Sequence, residues 1–124
     1  ELVEVHREKT GALINAAIQL GAAAAGASVT QCSVLRGYAF DIGLVFQIVD
    51  DVLDVTSTTQ ELGKPVGSDQ ENNKTTFVTL YGVEGAMEHA QEINRRGCER
   101  LQDEFGDAAA FLAAFAQSLL CRVN

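Results

Sequence analysis

Proline and cysteine are scarce in this sequence, and their scarcity narrows the kinds of protein it can be. The chain has one proline in 124 residues, so little in it forces a helix to break. Its three cysteines, Cys32, Cys98 and Cys121, are far apart and form no C-x-x-C pair. This spacing argues against a zinc site or a disulfide framework and is typical of a reducing cytosol. We therefore expect three small buried cysteines and a cytoplasmic location.

The chain also lacks a positive net charge and long apolar runs. The formal net charge is −8, which argues against a nucleic-acid partner and against binding to an anionic membrane. No apolar run reaches the roughly 18 residues of a membrane-spanning helix, so no stable membrane insertion is expected. An anionic substrate is still compatible with this charge, because a divalent metal ion can reverse the charge locally.

What is present is a helical pattern along the whole chain. Apolar spacing predicts five helices, at about residues 2–27, 31–56, 70–81, 83–105 and 108–121. Ser28 lies in a candidate cap region for the second helix, and Gly82 and Gly106 are expected to end the third and the fourth. Residues 57–67 are predicted to form a loop. We expect an all-α fold, a helical bundle or part of one, with residues 1–124 as a single helical domain fragment and the second helix at its centre.

An acidic cluster inside the apolar second helix carries the main functional signal. Asp50, Asp51 and Asp54 lie within five consecutive positions. Helical spacing puts Asp50 and Asp54 on one face, with Gln47 about one turn earlier. Hard oxygen ligands of this kind suit Mg²⁺, which is typically held by one or two carboxylates together with substrate phosphates. The cluster predicts a magnesium and diphosphate site, while acids along a solvated helix edge give the same pattern.

Three lysines accompany the acids. Lys64 follows a glycine in the predicted loop, Lys74 lies near the start of the predicted third helix, and Lys9 precedes Thr10 and Gly11 on the first helix. Lysine ammonium groups and helix N-termini both favour phosphate oxygens. Any one of these lysines alone is most often a surface charge, so the prediction depends on their combination with the aspartates.

In combination, these segments resemble the C-terminal half of the trans-isoprenyl diphosphate synthases, the family of farnesyl and geranylgeranyl diphosphate synthases. The resemblance covers nearly the whole chain, is strongest over residues 37–82, and is closest to the bacterial farnesyl diphosphate synthase branch. It implies the C-terminal part of an isoprenoid-synthase-type fold. The matching segments are Lys9-Thr10-Gly11-Ala12-Leu13, Gly43-x-x-Phe46-Gln47, Asp50-Asp51-x-x-Asp54, Gly63-Lys64 and Asn73-Lys74-Thr75-Thr76.

The resemblance implies a chemistry in which an allylic diphosphate ionises and isopentenyl diphosphate adds to the cation head to tail, with loss of a proton. Mg²⁺ and lysine charges stabilise the leaving diphosphate. The implied metal ligands are Asp50, Asp51 and Asp54, and the implied diphosphate contacts are Lys9, Lys64 and Lys74. Thr10 and Gln47 are expected to face the cation, and Phe46 to lie near the isoprenoid cavity or to pack in the core.

Members of this family use two aspartate-rich motifs, and this chain shows only the second. Because the first motif is missing, we expect these residues to be inactive alone. The chain also begins as if inside a helix, which is typical of a fragment of a longer protein. The resemblance implies that the full-length protein is a homodimer. The alternative is a half-length, non-catalytic homologue that acts as a partner subunit. A generic magnesium- or calcium-binding bundle is a third interpretation, although the sequence lacks the spacing of an EF-hand loop.

Overall fold

The computed structural model describes the backbone of residues 2–62 and 76–123, and the side chains of residues 8–56 and 76–122. Within these ranges the chain forms helices and turns and contains no strand. The predicted all-α class is therefore confirmed. The elements of the described ranges are helices α1 (Leu2–Ala24), α2 (Val29–Leu62), α3 (Phe77–Phe105) and α4 (Ala110–Leu120), and the 3₁₀ turns Gly106–Ala109 and Cys121–Val123.

Two glycines interrupt the helices where the sequence predicts breaks. Gly82 has φ 74° and ψ 174°, so the backbone is not helical there and α3 bends after its first turns. Gly106 has φ 57° and ends α3 before the first 3₁₀ turn. A positive φ is accessible to glycine at little steric cost. Both predicted breaks are confirmed.

Two predicted boundaries are wrong. Helix α2 continues to Leu62, whereas the sequence analysis began a loop at Ser57. Neither glycine nor proline occurs between these two residues, and an established helix extends at low cost. Thr76 has extended backbone with φ −122° and ψ 170°, so no helix runs continuously over residues 70–81. Residues 70–75 of that predicted helix lie outside the described residues, and residues 77–81 form the start of α3.

The start of α2 is fixed by the cap that the sequence predicts. The Ser28 hydroxyl oxygen accepts a hydrogen bond from the Gln31 backbone N–H at 3.1 Å, and the Gln31 side-chain oxygen accepts one from the Ser28 N–H at 2.9 Å. This reciprocal pair satisfies two backbone donors that a helix leaves free at its N-terminus.

Helix α2 is the central element, as predicted. It packs against α1 and α3, and it also contacts α4 and the final 3₁₀ turn. Its core side chains are almost fully removed from solvent, and burial of apolar area of this kind is the main favourable term in folding. The core residues contributed by α2 are Leu35, Tyr38, Ile42, Val45, Ile48, Val49 and Val52.

Helix α4 is joined to α3 by a buried polar contact. The Asn94 amide nitrogen donates to the main-chain oxygen of Ala116 at 2.8 Å, and the Asn94 side chain is buried. Such bonds fix one helix against another because a buried polar group needs a partner.

Two cysteines, Cys32 and Cys98, are partly buried, but Cys121 is exposed on the turn that follows α4. The expectation of three buried cysteines is therefore wrong for Cys121.

One segment within the described part of the chain, Val29–Thr56 of α2, is long and apolar enough to cross a membrane by length and composition alone. The core helix of a soluble protein meets the same criteria, and α2 carries much of the core. The absence of stable membrane insertion stays a prediction.

Candidate metal and diphosphate site

The acidic cluster lies on α2, next to the core residues Val49 and Val52. Asp50 and Asp54 are four residues apart on one face of the helix; the Asp50 side chain is 44% exposed and Asp54 is also exposed. Asp51 is rotated by one residue and is buried at 5% exposure. Its neighbours Val49 and Val52 belong to the core, so the helix turns Asp51 inward. The three carboxylates are thus divided between an outer pair and an inner one.

This division limits what the protein alone can hold. Among the residues that the structure describes, no three His, Cys, Asp or Glu side chains come together as a metal-binding group. Mg²⁺ seldom uses an all-protein cage and is commonly held by one or two carboxylates plus phosphate oxygens and water. The outer pair, Asp50 and Asp54, fits that smaller requirement. The assignment of all three aspartates as ligands stays a prediction.

A cation already lies beside Asp50. One terminal guanidinium nitrogen of Arg122 is 3.2 Å from an Asp50 carboxylate oxygen. The guanidinium carbon is also 4.9 Å from the centroid of the Phe46 ring, one turn before Asp50 on α2. The Asp50 carboxylate therefore already pairs with a positive charge, as the carboxylate of a metal ligand does. The sequence analysis missed Arg122, since nothing near it in the sequence links it to α2.

The lysine-threonine motif lies on α1, which approaches α2 closely. A Cβ atom added at Gly43 would lie 3.9 Å from the Cα atom of Gly11, so the two backbones meet at glycines. Small residues allow this approach, as the glycine and alanine content of α1 predicts. Lys9 is exposed and Thr10 is half-buried, immediately before Gly11. The contact brings the first motif of the predicted set beside the second.

A cleft of about 380 Å³ opens between the two helices at this contact. Gly11, Asn15, Gly43 and Gln47 are among the residues that line it. The structure therefore places Gln47 in a cavity beside the α1 motif, whereas Phe46 packs against the hydrophobic core and beneath Arg122. Asn15 was missed by the sequence analysis; it lies one turn beyond Gly11 on the same helix face, which is the available signal.

Lys64 and Lys74, the two remaining predicted diphosphate contacts, lie outside the described residues. Thr76, two residues after Lys74 in the sequence, caps the start of α3. Its hydroxyl oxygen accepts from the Thr79 N–H at 3.2 Å, and the Thr79 hydroxyl oxygen accepts from the Thr76 N–H at 2.8 Å. The threonine that ends the Asn73-Lys74-Thr75-Thr76 segment is thus held in place by a capping box.

Several curated proteins are similar to this chain over most of its length. The chloroplastic geranylgeranyl pyrophosphate synthase 11 of Arabidopsis thaliana is 44% identical over 120 residues, which cover 97% of this chain and 34% of that protein. The chloroplastic geranylgeranyl pyrophosphate synthase of Catharanthus roseus is 42% identical with the same coverage. The mitochondrial geranylgeranyl pyrophosphate synthase 10 of Arabidopsis thaliana is 42% identical over 97% of this chain and 35% of its own length. This chain spans about a third of the length of these relatives.

These relatives correct one expectation. A cytoplasmic location was inferred from the cysteine pattern, but the similar proteins are chloroplastic or mitochondrial enzymes. Free cysteines indicate a reducing environment and do not distinguish one reducing compartment from another. The cytoplasmic expectation is therefore wrong. The relatives are geranylgeranyl enzymes, so they do not show the likeness to the bacterial farnesyl branch.

The family is shown by a match over nearly the whole chain. The family model for polyprenyl synthetase matches residues 1–117. These residues include both the α1 motif and the aspartates of α2. The all-helical fold and the relatives point the same way. This chain belongs to the polyprenyl synthetase family.

Proposed function

We propose that this chain forms the second aspartate-rich side of an isoprenyl diphosphate synthase site, in which isopentenyl diphosphate condenses with an allylic diphosphate. The observation that supports the proposal is the close approach of Gly11 and Gly43, which packs the α1 segment that contains Lys9 and Thr10 against α2. Gln47 lines the cleft between the two helices at this point. Family membership and the geranylgeranyl relatives support it. The relatives favour a geranylgeranyl product over the farnesyl product of the sequence analysis.

Each residue has a proposed task. Asp50 and Asp54 would hold Mg²⁺ from the exposed face of α2, with Asp51 as a third ligand directly or through water. Mg²⁺, when bound, supplies Lewis-acid stabilisation of the charge that develops on the diphosphate. Lys9 adds a fixed positive charge, and Lys64 and Lys74 are proposed to do the same.

The cleft supplies the second half of the chemistry. The bond between the allylic carbon and the diphosphate oxygen breaks, and its electron pair leaves with the diphosphate. The double bond of isopentenyl diphosphate then attacks the allylic carbon, and a proton is lost. We assign the oxygens of Gln47 and Thr10 to face the positive carbon, because oxygen dipoles stabilise positive charge without reacting with it. Phe46 acts indirectly, through packing.

We further propose that residues 1–124 are the C-terminal half of a prenyltransferase domain in a longer, homodimeric enzyme and are inactive alone. The relatives are about three times as long as this chain, and the sequence holds only one aspartate-rich motif. Large apolar side chains on α1 and α2, among them Leu13, Leu20 and Phe40, are each 72% exposed. Apolar surface of this kind is typical of a face that packs against further structure.

A chimera tests the function directly. Residues 1–124 replace the matching third of the Arabidopsis geranylgeranyl pyrophosphate synthase 11, and labelled isopentenyl diphosphate is supplied with an allylic diphosphate and Mg²⁺. We expect a prenyl product whose length chromatography reports. Asp50→Asn should lower kcat about 100-fold or more, while Glu88→Gln, an exposed acid on α3, should leave it unchanged.

Two outcomes decide between the functions. A folded chimera without activity would contradict the enzyme proposal and favour a non-catalytic partner subunit. Condensation by the 124-residue polypeptide alone would contradict the proposal that it is inactive by itself.

A further inference from the structure

Arg122 connects the end of the chain to the acidic face of α2. It lies on the 3₁₀ turn Cys121–Val123, and its guanidinium contacts the Asp50 carboxylate at 3.2 Å and the Phe46 ring at 4.9 Å from the centroid. Phe46 and Asp50 are one turn apart on α2. The guanidinium therefore has two neighbouring attractive positions, one anionic and one aromatic.

The position beside Asp50 is also where a divalent cation would be held. Mg²⁺ binds carboxylate oxygens at about 2.0–2.1 Å, while a guanidinium pairs with the same oxygens at hydrogen-bond distance. Two cations at one carboxylate repel each other, and that repulsion is strong at separations of a few ångströms. Binding of the metal and full pairing of Arg122 with Asp50 are thus in competition.

We propose that Arg122 is the resident counter-ion of Asp50 and that a divalent metal ion must displace it. The inference depends on the proposed function, since it needs Asp50 to be a metal ligand. Before the metal binds, Arg122 neutralises Asp50. When a metal ion displaces it from the Asp50 oxygen, the guanidinium is left with the Phe46 ring as its attractive neighbour. Arg122 therefore lowers metal affinity in the substrate-free protein.

The size of the effect follows from the exposure of the pair. The Arg122 side chain is 38% exposed and that of Asp50 is 44% exposed, so water and salt screen their attraction. Partly exposed ion pairs of this type change an equilibrium by about two- to fivefold. Removing Arg122 should therefore tighten metal binding by about that factor. The gain should shrink as the salt concentration rises, because salt screens the competing charge.

The test is a titration of Mn²⁺ into the polypeptide, with the electron paramagnetic resonance signal of free Mn²⁺ as the readout. We expect Arg122→Gln to lower the Mn²⁺ dissociation constant about two- to fivefold at low salt, with a smaller change at high salt. Arg100→Gln is the matched control. Arg100, on α3, pairs with Asp41, which lies on α2 as Asp50 does but more than two turns before it. This control should bind Mn²⁺ as the wild type does.

A third variant separates the two proposals. If Asp50→Asn leaves Mn²⁺ affinity unchanged, Asp50 is not a ligand, and the metal assignment fails together with this inference. If Asp50→Asn weakens binding while Arg122→Gln binds Mn²⁺ as tightly as the wild type or more weakly, the metal assignment stands and the counter-ion role of Arg122 is overturned. Circular dichroism of each variant checks that its helices are intact.

Discussion

The phenolic oxygen of Tyr38 donates a hydrogen bond to the main-chain oxygen of Leu112 at 2.6 Å, and this bond joins α2 to α4 across 74 residues of sequence. Tyr38 is 2% exposed. Burial, with a smaller contribution from the Cys98 charge, raises the pKa of Tyr38 above its ordinary value. The hydroxyl therefore stays protonated at neutral pH and keeps donating its hydrogen bond to Leu112.

Tyr38→Phe removes this donor and keeps the ring. We expect the free energy of unfolding to fall by about 0.5–1.5 kcal/mol, the net value of one hydrogen bond, measured by urea denaturation. Tyr81→Phe is the control, since Tyr81 is 51% exposed and its ring lies 4.5 Å from that of His89 with or without the hydroxyl. Equal losses in the two variants would contradict a structural role for the Tyr38 bond.

The cap of α2 gives a second prediction. Ser28→Ala removes the oxygen that accepts from the Gln31 N–H, and loss of such a cap costs about 0.5–2 kcal/mol of stability. The urea midpoint should therefore fall. Ser33→Ala changes an exposed serine inside the same helix and should be neutral or slightly stabilising because alanine favours helix. A midpoint for Ser28→Ala that matches that of Ser33→Ala would refute the cap.

Gly85, close to the bend in α3, and Gly21 in α1 are expected to respond to alanine in opposite ways. A Cβ added at Gly85 would lie 2.8 Å from the Cβ of Tyr81, an atom that cannot move without the backbone. Gly85→Ala should therefore destabilise the protein by about 1–3 kcal/mol. At Gly21 in α1 an added Cβ meets nothing within 4 Å, so Gly21→Ala should gain about 0.5–1 kcal/mol from helix propensity.

Thermal unfolding followed by circular dichroism measures both glycine variants. A gain in melting temperature for Gly85→Ala would show that the backbone next to Gly82 can relax, against the geometry described for the bend.

Asp41 predicts a pH dependence of stability. Burial raises its pKa above the ordinary 3.8, and the nearby Arg100 guanidinium opposes that rise. The folded state therefore holds the proton more tightly than the unfolded state. The stabilising contribution of Asp41 is full below the unfolded pKa and is lost as the pH rises through the folded pKa. Relative to Asp41→Asn, the wild type should lose stability as the pH rises from about 4.

Glu92 supplies a comparison of opposite sign. Its hydrogen bond to Arg95 is the main cause that lowers its pKa from 4.5, so its contribution is present at higher pH and is lost as the pH falls through the folded pKa. Urea denaturation of Asp41→Asn and Glu92→Gln between pH 3 and 7 measures both slopes. Two slopes of the same sign would contradict the environments described for these carboxyls.

Local signals in the sequence were sufficient for most of the fold. The breaks at Gly82 and Gly106, the cap at Ser28 and the central position of α2 depend on backbone preference and apolar spacing, which act over a few residues. The end of α2 was misplaced because polar residues alone do not stop a helix. The exposure of Cys121 was missed because the burial of a side chain depends on tertiary packing around the turn after α4, which local sequence does not show.

The candidate site was predicted in part. The carboxylates of Asp50 and Asp54 and the closeness of Gln47 to the α1 motif follow from helix periodicity and from small residues at the helix contact. The inward rotation of Asp51 follows from the same periodicity once the core face of α2 is known. Arg122 could not be predicted, because its contact with Asp50 joins distant parts of the chain and depends on how α4 packs.

Helix α2 carries the core and the acidic cluster on the same few turns. Val49 and Val52, both fully buried, flank Asp50 and Asp51 along the chain. Packed interiors are nearly incompressible and change shape in discrete steps rather than gradually. The spacing of the acids is thus governed by apolar packing, so a substitution that opens a cavity beneath them would act at the metal site from within the core.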